Sequence, residues 1–205
     1  SLAWQPAELT RLEVKNRHAI EDGRLPLRIP PASVFFGGWA NAKLFMNQII
    51  NSQSTHVLEL CGINLPSLPL ELARIEFSGS ISELTVTDCI LAELPGWFSR
   101  FSMLTYLDLS NNKLARLPDN IDVLTSISHL DLSSNPLLEP FPALAALSNL
   151  VFLNLCRTET KILHSSTTTL VRLKTLALQN TKVSVIPGFV SKLVCLEALL
   201  LDGCH

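Results

Sequence analysis

Three residues that could share proton chemistry recur in one register: Asp108, His129 and Asp131. Two carboxylates and an imidazole are the parts of an acid–base apparatus, so a hydrolytic reading is weighed first. The spacing argues against it. Asp108 and Asp131 stand 23 residues apart, and Tyr106, His129 and Phe152 follow one another at the same interval. Equal spacing sets like positions side by side across neighbouring strands, about 4.8 Å apart, on one open face. That arrangement offers no nucleophile held in a cleft and no oxyanion donors, so no catalytic residue is assigned within these residues. It offers instead an aromatic row beside a carboxylate pair. Rings can anchor and acids can steer a basic or amphipathic segment of another protein. Facing acids repel, so one of the two carboxyls is expected to titrate high.

Other chemistries find less. The five cysteines match no zinc-ligand spacing, and Gly37-Gly38 is an isolated pair rather than a phosphate-binding loop. No metal or cofactor is implied. The 16 Lys and Arg are scattered against 18 Asp and Glu, and a net charge of −2 excludes a general nucleic-acid binder. No stretch approaches the ~18 apolar residues of a membrane span.

The elements that must position the row follow from the same 23-residue period, which repeats from Ile81, Leu104, Ile127, Leu150, Leu173 and Leu196. Counting each of these as offset zero, offset three holds Leu84, Leu107, Leu130, Leu153, Leu176 and Leu199. Offset five holds Val86, Leu109, Leu132, Leu155, Leu178 and Leu201. Apolar residues two apart point to one face of a short strand, and one repeat cannot bury that face without stacked neighbours. Offset eight holds Cys89, Asn112, Asn135, Thr158, Thr181 and Cys204. These six form a turn ladder whose side chains must hydrogen-bond the backbone left unpaired by the bend.

Leu94-Pro95, Leu117-Pro118 and Ile186-Pro187 give a Leu/Ile-Pro step on the return side, where proline costs no ladder bond. Short 3₁₀ or irregular turns are expected there. Leu150–Thr169 lacks the step and carries the hydroxyl run 165–169, so a looser segment is expected. An earlier, irregular repeat starts at Thr55, 26 residues before Ile81. Side chains at offsets two, four, six and seven are expected on the inner face. The candidate partner-binding set is Glu83, Tyr106, Asp108, His129, Asp131, Phe152, Asn154 and Arg157.

The run LTYLDLSNNKLARLPDNI from Leu104 to Ile121 resembles the leucine-rich-repeat family of the 23-residue LPxxI/L type. The resemblance implies an α/β solenoid: a horseshoe with a parallel concave β-sheet, an irregular or 3₁₀ convex side and an N-terminal helical cap. It implies a protein-binding module. The stretch FMNQIINSQSTHVLELCGINLPSLP from Phe45 to Pro69 is similar to the start of the repeat domain in bacterial type III effectors, some of them ubiquitin ligases. In that family the repeats choose the target or restrain the ligase, and a separate C-terminal domain carries the chemistry. Those ligases use shorter repeats with a doubled LPxLP step, and their Cys-x-Asp segment is absent here. Plant-pathogen effectors with longer repeats and Gly-Cys turns, like Gly203-Cys204, are a nearer match. The alternative left open is a eukaryotic intracellular scaffold, adaptor or receptor-sensor domain.

Three regions are expected: an extension with a β-hairpin over 1–38, a capping helix over 39–54, and repeats over 55–205 with the last one truncated. The hairpin reading rests on Leu12 and Val14, then Leu25, Leu27 and Ile29 around Glu21-Asp22-Gly23. The helix reading rests on Trp39, Ala42, Phe45, Met46, Ile49 and Ile50 at helical spacing. Trp4 and Trp39 are secondary candidates for partner contact. The last strand would lie uncovered, so a longer polypeptide and a monomer with an exposed C-terminal repeat edge are expected. The absence of cap cysteines and of N-x-S/T sequons favours a reducing cytoplasmic compartment, the host cytoplasm if the protein is a secreted effector.

Overall fold

The computed structural model describes residues 34, 38–73 and 78–204. The expected hairpin and Trp4 lie outside the described residues. Among them, one helix leads into seven strands that form a single parallel sheet in chain order. The helix, α1, spans Gly38–Thr55. The strands are β1 Val57–Glu59, β2 Glu83–Thr85, β3 Tyr106–Asp108, β4 His129–Asp131, β5 Phe152–Asn154, β6 Thr175–Ala177 and β7 Ala198–Leu200.

The register is the sequence period made visible. Leu84 pairs with Leu107, Leu107 with Leu130, Leu130 with Leu153, Leu153 with Leu176 and Leu176 with Leu199. Val57 pairs with Glu83, so the 26-residue first repeat keeps the ladder in phase. Each strand is three residues long because only offsets two to four are extended and paired. Offsets six and seven, expected on the sheet, lie in the turn that follows it. The side chains at offsets three and five point inward and are buried through the first six strands. The repeat from Leu104 buries seven apolar side chains: Leu104, Leu107, Leu109, Leu114, Leu117, Ile121 and Leu124. Each stabilises the coil by about 1.5–3 kcal/mol before entropy is counted. Phe98 and Phe101 pack at 5.3 Å on the return side of the second coil.

Helix α1 lies over the β1 end of this column. Ala42, Phe45, Met46 and Ile49 are buried, and Lys43, Leu44 and Asn47 face out. The i, i+3, i+4, i+7 spacing gives one apolar stripe. Asn41 ties the helix to the first coil by accepting the Asn64 amide N–H at 3.3 Å.

On the return side, 3₁₀ turns span Gly96–Arg100, Asp119–Val123, Ser165–Thr169 and Gly188–Lys192. Pro95, Pro118 and Pro187 precede three of them with φ near −70° and ψ near 150°. The segment expected to be looser is not. His164 takes the same extended conformation as the prolines, and its Nδ1 accepts the Ser166 N–H at 3.2 Å. The hydroxyls of Thr167, Thr168 and Thr169 donate to carbonyls three residues back. Side-chain hydrogen bonds there do what ring closure does in proline. The departure falls one repeat earlier, where Pro140 is αR and the turn Phe141–Leu144 is α-helical.

The offset-eight side chains Cys89, Asn112, Asn135, Thr158 and Cys204 hydrogen-bond backbone carbonyls at the turns, whereas Thr181 meets the Cys204 thiol instead and the turn after β1 carries Ile63 at this position. Nδ2 of Asn112 donates to the carbonyls of Val86, Leu109 and Ser110, and its Oδ1 accepts the N–H groups of Cys89 and Leu91. Asn135 likewise bonds Leu109, Leu132 and Ser133 and accepts from Leu114. An amide thus crosses to the preceding coil as well as closing its own. The Cys89 thiol donates to Leu60 O at 2.6 Å and Thr87 O at 3.1 Å, and burial pushes its pKa up to about 11. Cys204 reaches Leu178 O at 3.1 Å. Thr158 is too short to cross. It donates to Leu155 O within its own turn and meets the Thr160 hydroxyl at 2.9 Å. The residue before each of these is left-handed: Gly62, Asp88, Asn111, Ser134, Arg157, Asn180 and Gly203 all have positive φ.

Asn112→Ala leaves several buried backbone groups without partners and is expected to lower unfolding free energy by about 3 kcal/mol, against about 1 kcal/mol for Thr158→Ala. Urea unfolding monitored by circular dichroism checks the ranking. Ser134→Val places a β-branched side chain at positive φ and is expected to cost about 2 kcal/mol in the same assay.

Candidate protein-binding surface

The outward side chains of the strands form the surface. At offset two stand Val57, Glu83, Tyr106, His129, Phe152, Thr175 and Ala198; at offset four, Glu59, Thr85, Asp108, Asp131, Asn154, Ala177 and Leu200. Tyr106 and His129 stack with centroids 6.2 Å apart and planes at 27°. His129 and Phe152 stack at 6.1 Å and 21°. The three rings make one row over β3, β4 and β5. Tyr106 is 39% exposed, a high value for an aromatic ring that no strand covers.

The row is held from one side by a hydroxyl column at offset one that the sequence pattern did not single out. Ser82 donates to His56 O, Thr105 to Ser82 O and Ser128 to Thr105 O, at 3.1–3.3 Å. Ser128 Oγ also lies 2.9 Å from His129 Nδ1, within hydrogen-bond distance of the imidazole. The recurrence Ser82, Thr105, Ser128 at 23-residue spacing was the available signal. The Ser–His contact belongs to this structural column.

The offset-four acids are tied into the strand ends. Asp108 Oδ1 accepts the Ser110 N–H at 2.9 Å, and Asp131 Oδ1 accepts the Ser133 N–H at 2.8 Å. Asn154 repeats the bond, its Oδ1 accepting from Cys156 N at 3.0 Å, and its Nδ2 donates to Asp131 Oδ2 at 2.7 Å. The two facing carboxylates are therefore unequal, since Asp131 has an amide donor that Asp108 lacks. Burial pushes the Asp108 carboxyl above the ordinary range, the Ser110 hydrogen bonds oppose this, and the Asp131 and Asp88 charges add to it. The Tyr106 hydroxyl is also pushed up, by burial first and then by Asp108, Asp131 and Glu83.

Of the residues singled out in the sequence, Glu83, Tyr106, Asp108, His129, Asp131, Phe152 and Asn154 lie together on the outward face of β2–β5. Arg157 does not join them. It is the left-handed residue of the turn after β5, three residues past the strand end. Its neighbour Cys156 donates to Gln179 Oε1 at 2.7 Å, and burial raises the thiol pKa. All five cysteines are free. Among the described residues no group of three or more His, Cys, Asp or Glu could hold a metal ion, and no helix is long and apolar enough to cross a membrane.

Comparison with known proteins agrees with this architecture. A leucine rich repeat family model matches residues 80–137. The leucine-rich-repeat domain of the type III effector XopL superposes on the whole chain with a TM-score of 0.69 at 24% identity, 73% of that structure being covered. An internalin (InlF) from Listeria monocytogenes aligns over 69% of this chain and 46% of its own, with a TM-score of 0.54 at 19% identity. A leucine-rich-repeat protein of Leptospira interrogans aligns over 76% of this chain and 52% of its own, with a TM-score of 0.52 at 19% identity. A search of curated proteins finds no match.

The Asp108 shift has a definite sign. A carboxyl whose pKa is higher folded than unfolded binds its proton more tightly in the native state, so its contribution to stability falls as pH rises through the carboxylate range. Asp108→Asn keeps an oxygen to accept the Ser110 N–H and removes the charge. The variant is expected to gain stability relative to wild type between pH 3 and pH 7. Paired urea melts across that range check it.

Proposed function

We propose that this leucine-rich-repeat domain is the target-recognition part of a host-delivered bacterial effector and holds its target on the concave sheet. The single observation that supports the surface is the Tyr106–His129–Phe152 row. Three stacked rings stand outward over three adjacent strands, where they contribute nothing to the buried core. Aromatic side chains of limited rotamer freedom are efficient interface anchors. Carboxylates beside them favour encounter with a basic surface.

The effector setting draws support from the likeness to the XopL repeat domain along the whole chain. The free cysteines, with Cys61 and Cys195 exposed, fit the reducing host cytoplasm. A role in choosing substrates for ubiquitin transfer follows from the same setting. The repeats themselves act by binding. The concave surface and one bound protein per monomer make up the proposed complex.

Capture of host proteins from lysate tests the reading. Wild type is expected to retain specific targets that Tyr106→Ala/Phe152→Ala loses by tenfold or more, a cost of about 1.4 kcal/mol or above. The double variant should melt within a few degrees of wild type, because the rings stand outside the core. Equal recovery by wild type and the double variant would remove the concave face from consideration.

A further inference from the structure

We propose that the target presents an arginine to the corner formed by Glu83, Tyr106 and Asp108, followed by an apolar side chain over Phe152, on one extended segment that crosses the strands. The proposal rests on the concave sheet being the recognition surface.

Charge is distributed unevenly along that sheet. The outward positions of β1–β4 carry Glu59, Glu83, Asp108 and Asp131, and those of β5–β7 carry no charge. No Lys or Arg occupies an outward strand position in any of the seven strands. Among the described residues the ion pairs are Lys174–Glu197 and Lys182–Glu159, so neither Glu83, Asp108 nor Asp131 has a cationic partner of its own. The face is thus acidic at one end and neutral at the other, and its complement is a segment basic at one end and apolar at the other.

The corner is chosen by ring geometry. One face of Tyr106 is turned to His129 across the β3–β4 pair. Its other face looks towards β2, where Glu83 is the register partner of Tyr106. Phe152 is the other end of the stack and borders Thr175. A cation lying over the outer face of Tyr106 meets the ring quadrupole and has Glu83 and Asp108 on either hand. Guanidinium suits this place better than ammonium, because it is planar, sheds water more readily, stacks on a ring and offers a fork of N–H donors to carboxylates. The hydroxyl of Tyr106 already senses all three acids, which lift its pKa after burial does. From β2 to β5 is three strand spacings, about 14 Å. An extended chain covers that in about four residues, which sets the interval between the arginine and the apolar anchor.

The probe is a Gly/Ser peptide bearing one Arg and one Leu about four residues apart, titrated into the 15N-labelled domain. Two further peptides carry citrulline or Lys in place of Arg. Saturable shifts are expected on β2–β5, with affinity reduced by about tenfold for citrulline and less for Lys. Glu83→Gln and Asp108→Asn should each weaken the Arg peptide and leave the citrulline peptide unchanged. Tyr106→Phe should retain binding and Tyr106→Ala should lose it. Glu83 is exposed, so its variant tests the corner without a folding penalty. Equal binding of Arg and citrulline peptides, shifts confined to other strands, or no saturable shift would each overturn the arginine corner. If the corner fails while Tyr106→Ala/Phe152→Ala still abolishes capture of host targets, the recognition surface stands with a different occupant. If capture is also unaffected, the surface itself is refuted.

Discussion

The structure depends on pairing the backbone groups that each bend would leave stranded, and in the turns after β3 and β4 a buried side-chain amide does this. A coil that leaves a three-residue strand and bends through a left-handed residue strands several peptide groups away from water. Asn112 and Asn135 pair those groups in their own turn and in the coil before. Because one end of the amide donates and the other accepts, a single side chain links carbonyls on one side to N–H groups on the other. The apolar column supplies the larger share of the free energy, yet it is non-directional. The directional bonds, the backbone ladder of the sheet and the side chains of Cys89, Asn112, Asn135 and Cys204 that cross between coils, hold successive coils in register, so that the leucines stack in phase and the outward side chains fall in rows.

From this constraint the surface follows. Strands of three residues, locked in register, expose only two side chains each, and a change at offset two or four leaves the coil intact. Side chains at those two positions can differ from one repeat to the next while the frame is fixed elsewhere. Tyr106, His129 and Phe152 occupy one such column and Asp108, Asp131 and Asn154 the other. The second column is less free, since each member also accepts an N–H two residues on. Asn serves that bond as well as Asp, so the negative charge of Asp108 and Asp131 is not required by the turn.

The substitutions within the ladder show how much tolerance the fold has. Thr158 cannot span two coils, and the hydroxyl of Thr160 is placed to meet it. Cys89 and Cys204 span with a single donor. His164 reproduces the conformation of proline without the ring. In each case the chain keeps the backbone geometry and changes the group that enforces it.

How much was legible in advance follows from which interactions are periodic. The 23-residue recurrence of Leu107, Leu130 and Leu153 determined the parallel sheet, its register and the inward direction of those side chains, because a stacked coil has one phase in which all of them are buried. The apolar spacing Ala42, Phe45, Met46, Ile49 determined a helix whose stripe meets the first coil. The rows of rings and acids were likewise readable, being the residues between the leucines. Tertiary structure decided what one repeat does to the next. The placement of Arg157 in the left-handed turn after β5 was fixed there, as were the inequality of Asp108 and Asp131 created by Asn154 and the contact of Ser128 with His129. The ordered turn at Ser165–Thr169 was decided there too. Each depends on a hydrogen bond or dihedral set by local three-dimensional geometry, which a pattern of apolar positions does not encode.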